Sequence, residues 1–177
     1  MFIREQDLSE RALEGIAEEM CLAARTAPKA RGVDFMSIGI AKGDTIDALS
    51  RKMKELGEKT GAMHFTRDAE SIKGLKVIVL LGTKIESTNV KGCDYCGFNG
   101  CAEREKNLPA VCAFNAGDLG IAVGSALSIA ADHRVDNRIM HSIGKAAIEL
   151  KLLGDGIKIA YGIPLSATSK NPFFDRK

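Results

Sequence analysis

Residues 113–131 read Ala-Phe-Asn-Ala-Gly-Asp-Leu-Gly-Ile-Ala-Val-Gly-Ser-Ala-Leu-Ser-Ile-Ala-Ala, a helix-length run that is apolar almost all round. A helix without a polar face cannot lie on the surface of a water-exposed layer, so this one is expected at the centre of the core. Gly117, Gly120, Gly124 and Ser128 recur on one side of it. Each glycine inside a helix costs about 1 kcal/mol against alanine, so the stripe implies close approach by another helix, across a dimer axis for instance, or by a flat ligand. Asp118 is the one charge inside the run and needs a cationic or N–H partner if buried.

The rest of the chain supplies layers around that helix. A first helix is predicted from about Ser9 to Thr26, with Asp7 and Glu10 as a capping box and Leu13, Ile16, Ala17, Met20, Cys21 and Ala24 as its buried stripe. Phe35–Ala41 reads as a strand, and Ile46, Leu49, Met53 and Leu56 mark the inner face of a second helix. Leu75–Leu81 is a continuous apolar run, as in a strand buried on both faces. Asn137–Leu153 is expected to be a helix with Ile139, Ile143, Ala146, Ala147 and Leu150 inward, and Ile157–Ile163 a half-exposed final strand. Two adjacent phenylalanines, Phe173 and Phe174, predict that the tail packs on this subunit or a partner. The order gives one α+β domain over 1–177.

Chemistry concentrates between the second strand and the central helix. Four of the five cysteines follow the spacing C-x2-C-x4-C-x10-C, at Cys93, Cys96, Cys101 and Cys112, interleaved with Gly92, Gly97 and Gly100. Four soft thiolates on one loop of residues 91–113 suit an iron–sulfur cluster first and a structural zinc second. Zinc sites more often use two close cysteine pairs, whereas Cys101 and Cys112 stand well apart. A disulfide framework fits less well: the cysteine count is odd, no basic-then-apolar leader opens the chain, and the strongest apolar stretch, Val77–Leu81, is strand-sized. These features lead us to expect a cytoplasmic protein without a membrane span, where thiols stay reduced. The formal net charge of +2 and the scarcity of aromatic residues argue against a nucleic-acid partner. Cys21, on a helical stripe, reads as a small buried thiol. His64, His133 and His141 are scattered, and Ser125 lies inside a helix, so no hydrolytic arrangement is visible.

The detail Cys93-x-x-Cys96-Gly-Phe-x-Gly-Cys101 resembles the [4Fe-4S] segment of an electron-transport component of Rnf-type complexes and of corrinoid iron–sulfur proteins, which implies Cys93, Cys96, Cys101 and Cys112 as cluster ligands. Over nearly its whole length the chain resembles the DUF2148 group of ferredoxin-domain proteins. Cys-Ala-Phe-Asn-Ala-Gly-Asp-Leu-Gly-Ile-Ala, Asp136-Asn-Arg-Ile-Met and Gly-Ile-Pro-Leu-Ser carry that likeness. The turn Ala-Arg25-Thr-Ala-Pro28-Lys29-Ala-Arg31 resembles one in nitroreductase-type flavoproteins, with Lys29 where those have serine. This second likeness implies helices on a small, mainly antiparallel sheet, a homodimer, and FMN at the subunit boundary. Pro28 and Lys29 would then touch the flavin ring, while Arg25, Arg31, Lys170 and Arg176 would supply charge to its phosphate. The expected function is one-electron transfer through a [4Fe-4S] cluster, as a carrier or feeding a flavin-dependent reductase. The alternative is a zinc-stabilised binding module.

Overall fold

A computed structural model describes residues 1–174 of the chain. Four antiparallel strands form the middle layer in the order β1-β2-β4-β3: β1 Met36–Ala41, β2 Ile78–Thr83, β3 Asp136–Asn137 and β4 Ile159–Ser166. Register runs from Met36 opposite Thr83 to Ala41 opposite Ile78, and from Ile78 opposite Pro164 to Thr83 opposite Ile159. Successive side chains of a strand point to opposite faces, so the unbroken apolar run around β2 serves two cores at once. Val77, Val79 and Leu81 meet α1 (Glu5–Thr26) and α5 (Ala113–Asp132) on one side. Ile78 and Leu80 meet α2 (Asp44–Thr60), α3 (Met63–Ser71) and α6 (His141–Glu149) on the other. The fold is thus an α+β sandwich of helices on a small antiparallel sheet, as expected.

Several boundaries differ from the sequence reading. α1 starts at Glu5 rather than Ser9, and Asp7 lies within its first turn instead of capping it. There Glu5 and Asp7 face the positive end of the helix dipole, which suits acidic side chains. The short helices α3 and α4 (Cys101–Lys106) were not predicted, since neither carries enough periodic apolar residues to stand out. The predicted helix from Asn137 begins only at His141. The preceding residues pair with β4 instead, through β3 and a Met140–Gly162 bridge, leaving Ile139 exposed.

β4 also runs past Ile163, through Pro164 to Ser166, and is buried on both faces over most of its length. Leu165 N–H points toward β2, reaching the Val77 carbonyl at 3.3 Å, whereas Gly162 N–H points the other way, to Met140 O at 3.0 Å. By alternation the Pro164 nitrogen faces the gap between the Met140 bridge and β3, so its missing N–H costs no ladder bond. Gly144 lets α6 settle onto this strand, because a Cβ there would fall 1.8 Å from Ala160 O. Phe173 packs into the α2–α3–α6 core, while Phe174 is half-exposed under the Arg138 guanidinium, 5.1 Å from its ring centre.

α5 departs from the expectation of burial all round. Leu119, Ala122, Val123, Ala126 and Ala130 pack toward α1 and the sheet, but Gly117, Gly120, Ile121, Gly124 and Ser128 form an exposed face. By length and composition this helix could cross a membrane. Its buried polar residues instead hold the site described next.

Candidate functional site

Residues 84–89 leave β2 as an irregular strap, and side chains satisfy its carbonyls one after another. Asn115, on the first turn of α5, donates to Lys84 O at 3.0 Å and Glu86 O at 2.7 Å. Arg104 of α4 donates to Ile85 O at 2.6 Å and to the Ser87 hydroxyl at 2.8 Å. Asn89 takes Ser87 O, and Arg31 donates to Thr88 O at 3.0 Å and Asn89 O at 2.9 Å. Backbone that belongs to no ladder must find such partners when buried. The strap therefore delivers the cysteine loop from a fixed position.

Along that loop Gly92, Gly97 and Gly100 adopt φ of +70°, +81° and +83°, values that would strain any side-chain-bearing residue. The chain turns at each of them. Cys93, Cys96 and Cys101 are half-buried and Cys112 is buried; all are free thiols. Cys101 opens α4 and Cys112 is the N-cap residue of α5, so two of the four sulfurs stand at helix N-termini, where negative charge is favoured. Burial raises the Cys112 thiol pKa. The Thr88 hydroxyl, 3.5 Å from Sγ, and the backbone N–H groups of Thr88, Asn115 and Phe114 outweigh that and bring it below the ordinary value.

Cys93 and Cys101 share a cleft of about 750 Å³ with Arg31, Lys91, Gly92 and Gly100. Cys96 and Cys112 do not line it. Among the described residues no three Cys, His, Asp or Glu side chains stand in ligand geometry around a common point. The donor set still fits a thiolate-bound centre chemically: four reduced sulfurs, one of them predisposed to ionise, beside cationic side chains. Cys21, by contrast, has its thiol pKa raised by burial and by Glu18, as suits an inert packing thiol.

A second cleft, of about 490 Å³, lies between the Pro28 turn and α5. Pro28, Ala30, Tyr95, Phe114, Gly117 and Asp118 line it, and the Tyr95 ring stacks on Phe114 with centres 5.7 Å apart. Asp118 finds the N–H partner its burial required: Ala30 N–H lies 3.1 Å from both carboxylate oxygens. Burial nonetheless holds its pKa above the usual aspartate value, with the Asp34 charge adding to that and the Ala30 N–H and Lys29 opposing it.

The basic residues singled out in the sequence have diverse contacts. Lys29 lines the second cleft, yet its Nζ bonds Ala24 O at 2.9 Å and Arg25 O at 2.6 Å, closing the C-terminus of α1. Arg25 pairs with Asp34 at 2.6 Å. Arg31 sits at φ +58°, a left-handed conformation its two carbonyl contacts hold in place, and lines the cysteine cleft. Lys170 is exposed in the tail, and Arg176 lies outside the described residues. Ser125 donates to Ala23 O at 2.9 Å, a helix–helix contact between α5 and α1. His64 and His141, far apart in sequence, come together with ring centres 4.9 Å apart on the α3–α6 side of the sheet.

Residues 109–176 match the family described as an uncharacterized protein containing a ferredoxin domain, DUF2148. A protein of Archaeoglobus fulgidus, itself described only as uncharacterized, is 38% identical over 183 residues, covering 99% of this chain and 98% of its own. The chain belongs to the DUF2148 family. This DUF2148 protein also shares its fold with solved nitroreductases. The nitroreductase CinD from Lactococcus lactis, in complex with nicotinic acid, superposes with a TM-score of 0.60 at 19% identity, over 89% of this chain and 79% of that one. An oxidoreductase containing FMN gives 0.59 at 14% identity, over 88% and 67%. A nitroreductase family protein from Clostridium novyi NT gives 0.54 at 13%, over 94% and 76%. At such identities the likeness establishes the nitroreductase-like fold alone. The family's ferredoxin domain points to a redox role and an iron–sulfur cofactor.

Proposed function

We propose that this DUF2148 protein is a cytoplasmic electron-transfer protein that holds one [4Fe-4S] cluster on Cys93, Cys96, Cys101 and Cys112 and passes electrons to FMN in the neighbouring cleft. The observation that carries the reading is that two short segments each contribute neighbouring residues to both clefts. Pro28, Lys29 and Ala30 line the second cleft while Arg31, next in the chain, lines the cysteine cleft. Cys93 and Asp94 likewise line the cysteine cleft while Tyr95 reaches into the other and stacks on Phe114. Two adjoining segments thus connect the thiols to an aromatic-lined hollow within a few covalent bonds.

When bound, the cluster would supply single electrons and the flavin would pair them. The residues around both sites do the positioning. The strap bonds from Asn115, Arg104 and Arg31 hold the loop that carries the sulfurs. Asp118 fixes the Pro28 turn through Ala30 N–H, and the Tyr95–Phe114 pair offers an aromatic surface to a flat ring. Arg25, Lys29, Arg31, Lys170 and Arg176 are the candidates for the flavin phosphate, and Arg25, Lys29 and Arg31 would have to exchange or share their present partners. The exposed face of α5, with Gly117, Gly120, Ile121 and Gly124, supports a homodimer in which a second copy covers that face beside the flavin cleft.

Anaerobic purification followed by an absorption spectrum and iron, sulfide and zinc analysis tests the reading. A brown protein with about four irons and four sulfides per chain, bleached by dithionite, is the expected result. Cys96→Ser should lose that colour while keeping the helical circular dichroism, because the two cores exclude the loop. A colourless protein with about one zinc per chain would replace electron transfer with the binding-module alternative. FMN added to the holoprotein should bind with quenching of flavin fluorescence, and Tyr95→Ala should weaken it.

A further inference from the structure

Among the described residues Arg104 makes no ion pair. It is 2% exposed, and its guanidinium reaches only neutral acceptors: Nη1 donates to Ile85 O and Ala110 O, both at 2.6 Å, and Nη2 to Ser87 Oγ at 2.8 Å. Its Nε–H is buried with no acceptor. Three hydrogen bonds explain how the side chain is held but leave its charge unbalanced, and burying an uncompensated ion is unfavourable. A fold tolerates that where an anion comes from elsewhere.

The acceptors of Arg104 tie the strap, through Ile85 and Ser87, to the cysteine loop, through Ala110. Arg104 stands three residues after Cys101 on α4, hence on the same side of that helix. One of its acceptors, Ala110, is two residues before Cys112. Another, Ser87, adjoins Thr88, whose hydroxyl touches Cys112 Sγ. Arg31 and Lys91 also lie beside the loop, but both are exposed, and water and salt screen them.

We propose that Arg104 is the built-in counter-charge of the four-thiolate centre, a positioning residue that ties two ligand-bearing segments together and favours the centre's reduced form. The inference rests on the iron–sulfur reading above. A cluster held by four thiolates is anionic and gains one further negative charge when it accepts an electron. A fixed cation in a low-dielectric surround stabilises the reduced state more than the oxidised one.

The test uses the full chain, reconstituted anaerobically with iron and sulfide, as wild type, Arg104→Gln, Arg104→Lys and Ser87→Ala. Iron per chain is measured, and the cluster is titrated with dithionite under electron paramagnetic resonance. In Arg104→Gln the reduced-to-oxidised ratio at a fixed ambient potential should fall about tenfold, equivalent to about 59 mV for one electron. Arg104→Lys, which keeps the charge though not the forked hydrogen bonds, and Ser87→Ala, which removes one acceptor only, should stay within about threefold of wild type, since the ratio follows the charge. A fully loaded Arg104→Gln protein with an unshifted ratio overturns the proposal. So does a tenfold fall in Arg104→Lys, which decides the matter if the glutamine variant does not fold. A wild type that takes up zinc and no iron removes the iron–sulfur reading and this inference with it, whereas a loaded wild type with no Arg104 effect removes the inference alone.

Discussion

Replacing Asn115 by alanine should test whether the strap is held as described. The side chain is 1% exposed and makes three contacts: it donates to Lys84 O and Glu86 O and accepts from the Thr88 hydroxyl at 2.8 Å. At a net value of about 1 kcal/mol each, their loss costs about 3 kcal/mol. Alanine's better helix propensity returns about 0.5 kcal/mol, leaving a destabilisation of about 2.5 kcal/mol. For a chain of this size that is a fall in Tm of about 5–10 °C. Urea denaturation followed by circular dichroism reads it directly. Asn115→Asp should be worse than alanine, since it keeps the acceptor for Thr88 but turns a carboxylate on two carbonyls. In a double-mutant cycle with Thr88→Val the coupling should be about 1 kcal/mol. A loss below about 1 kcal/mol for the single variant, or strict additivity in the cycle, would refute the idea that Asn115 holds the strap and the Cys112 environment as one unit.

Gly144→Ala should destabilise by more than about 3 kcal/mol, because the new Cβ meets Ala160 O at 1.8 Å and Tyr161 N at 2.7 Å, both backbone atoms that only a shift of α6 can clear. A variant with a near-native urea midpoint would contradict that packing. Asp118 gives a pH signature. Its folded pKa lies above the ordinary 3.8, so the associated stability is complete below that value and is lost as pH rises through the folded pKa. Asp118→Asn should therefore flatten the decline in urea midpoint as pH rises from about 3.8, and an unchanged slope would show that another group causes it. Lys29→Gln should cost about 1 kcal/mol through the uncovered carbonyls of Ala24 and Arg25, read by the same denaturation. No measurable loss would mean water satisfies those groups equally well.

The sequence alone determined those features that depend on local composition. The apolar run around β2 reads as a strand buried on both faces and does serve two cores, and the stripes of α1 and α2 face inward as their spacing required. The cysteine spacing and the Pro28 turn were legible because chemistry there follows residue type and short-range order. Tertiary structure decided matters that depend on what lies opposite. α5 looked uniformly apolar, yet α1 and the sheet cover only one side of it and leave the glycine face exposed. Asn137–Met140 looked helical until β4 offered them backbone partners. Periodicity gave no sign that Arg104, Asn115 and Arg31 would converge on one strap, since they sit on three separate elements and meet only through the carbonyls of residues 84–89. Burial and partner geometry belong to pairs of segments distant in the chain, and a linear pattern records only one member of each pair.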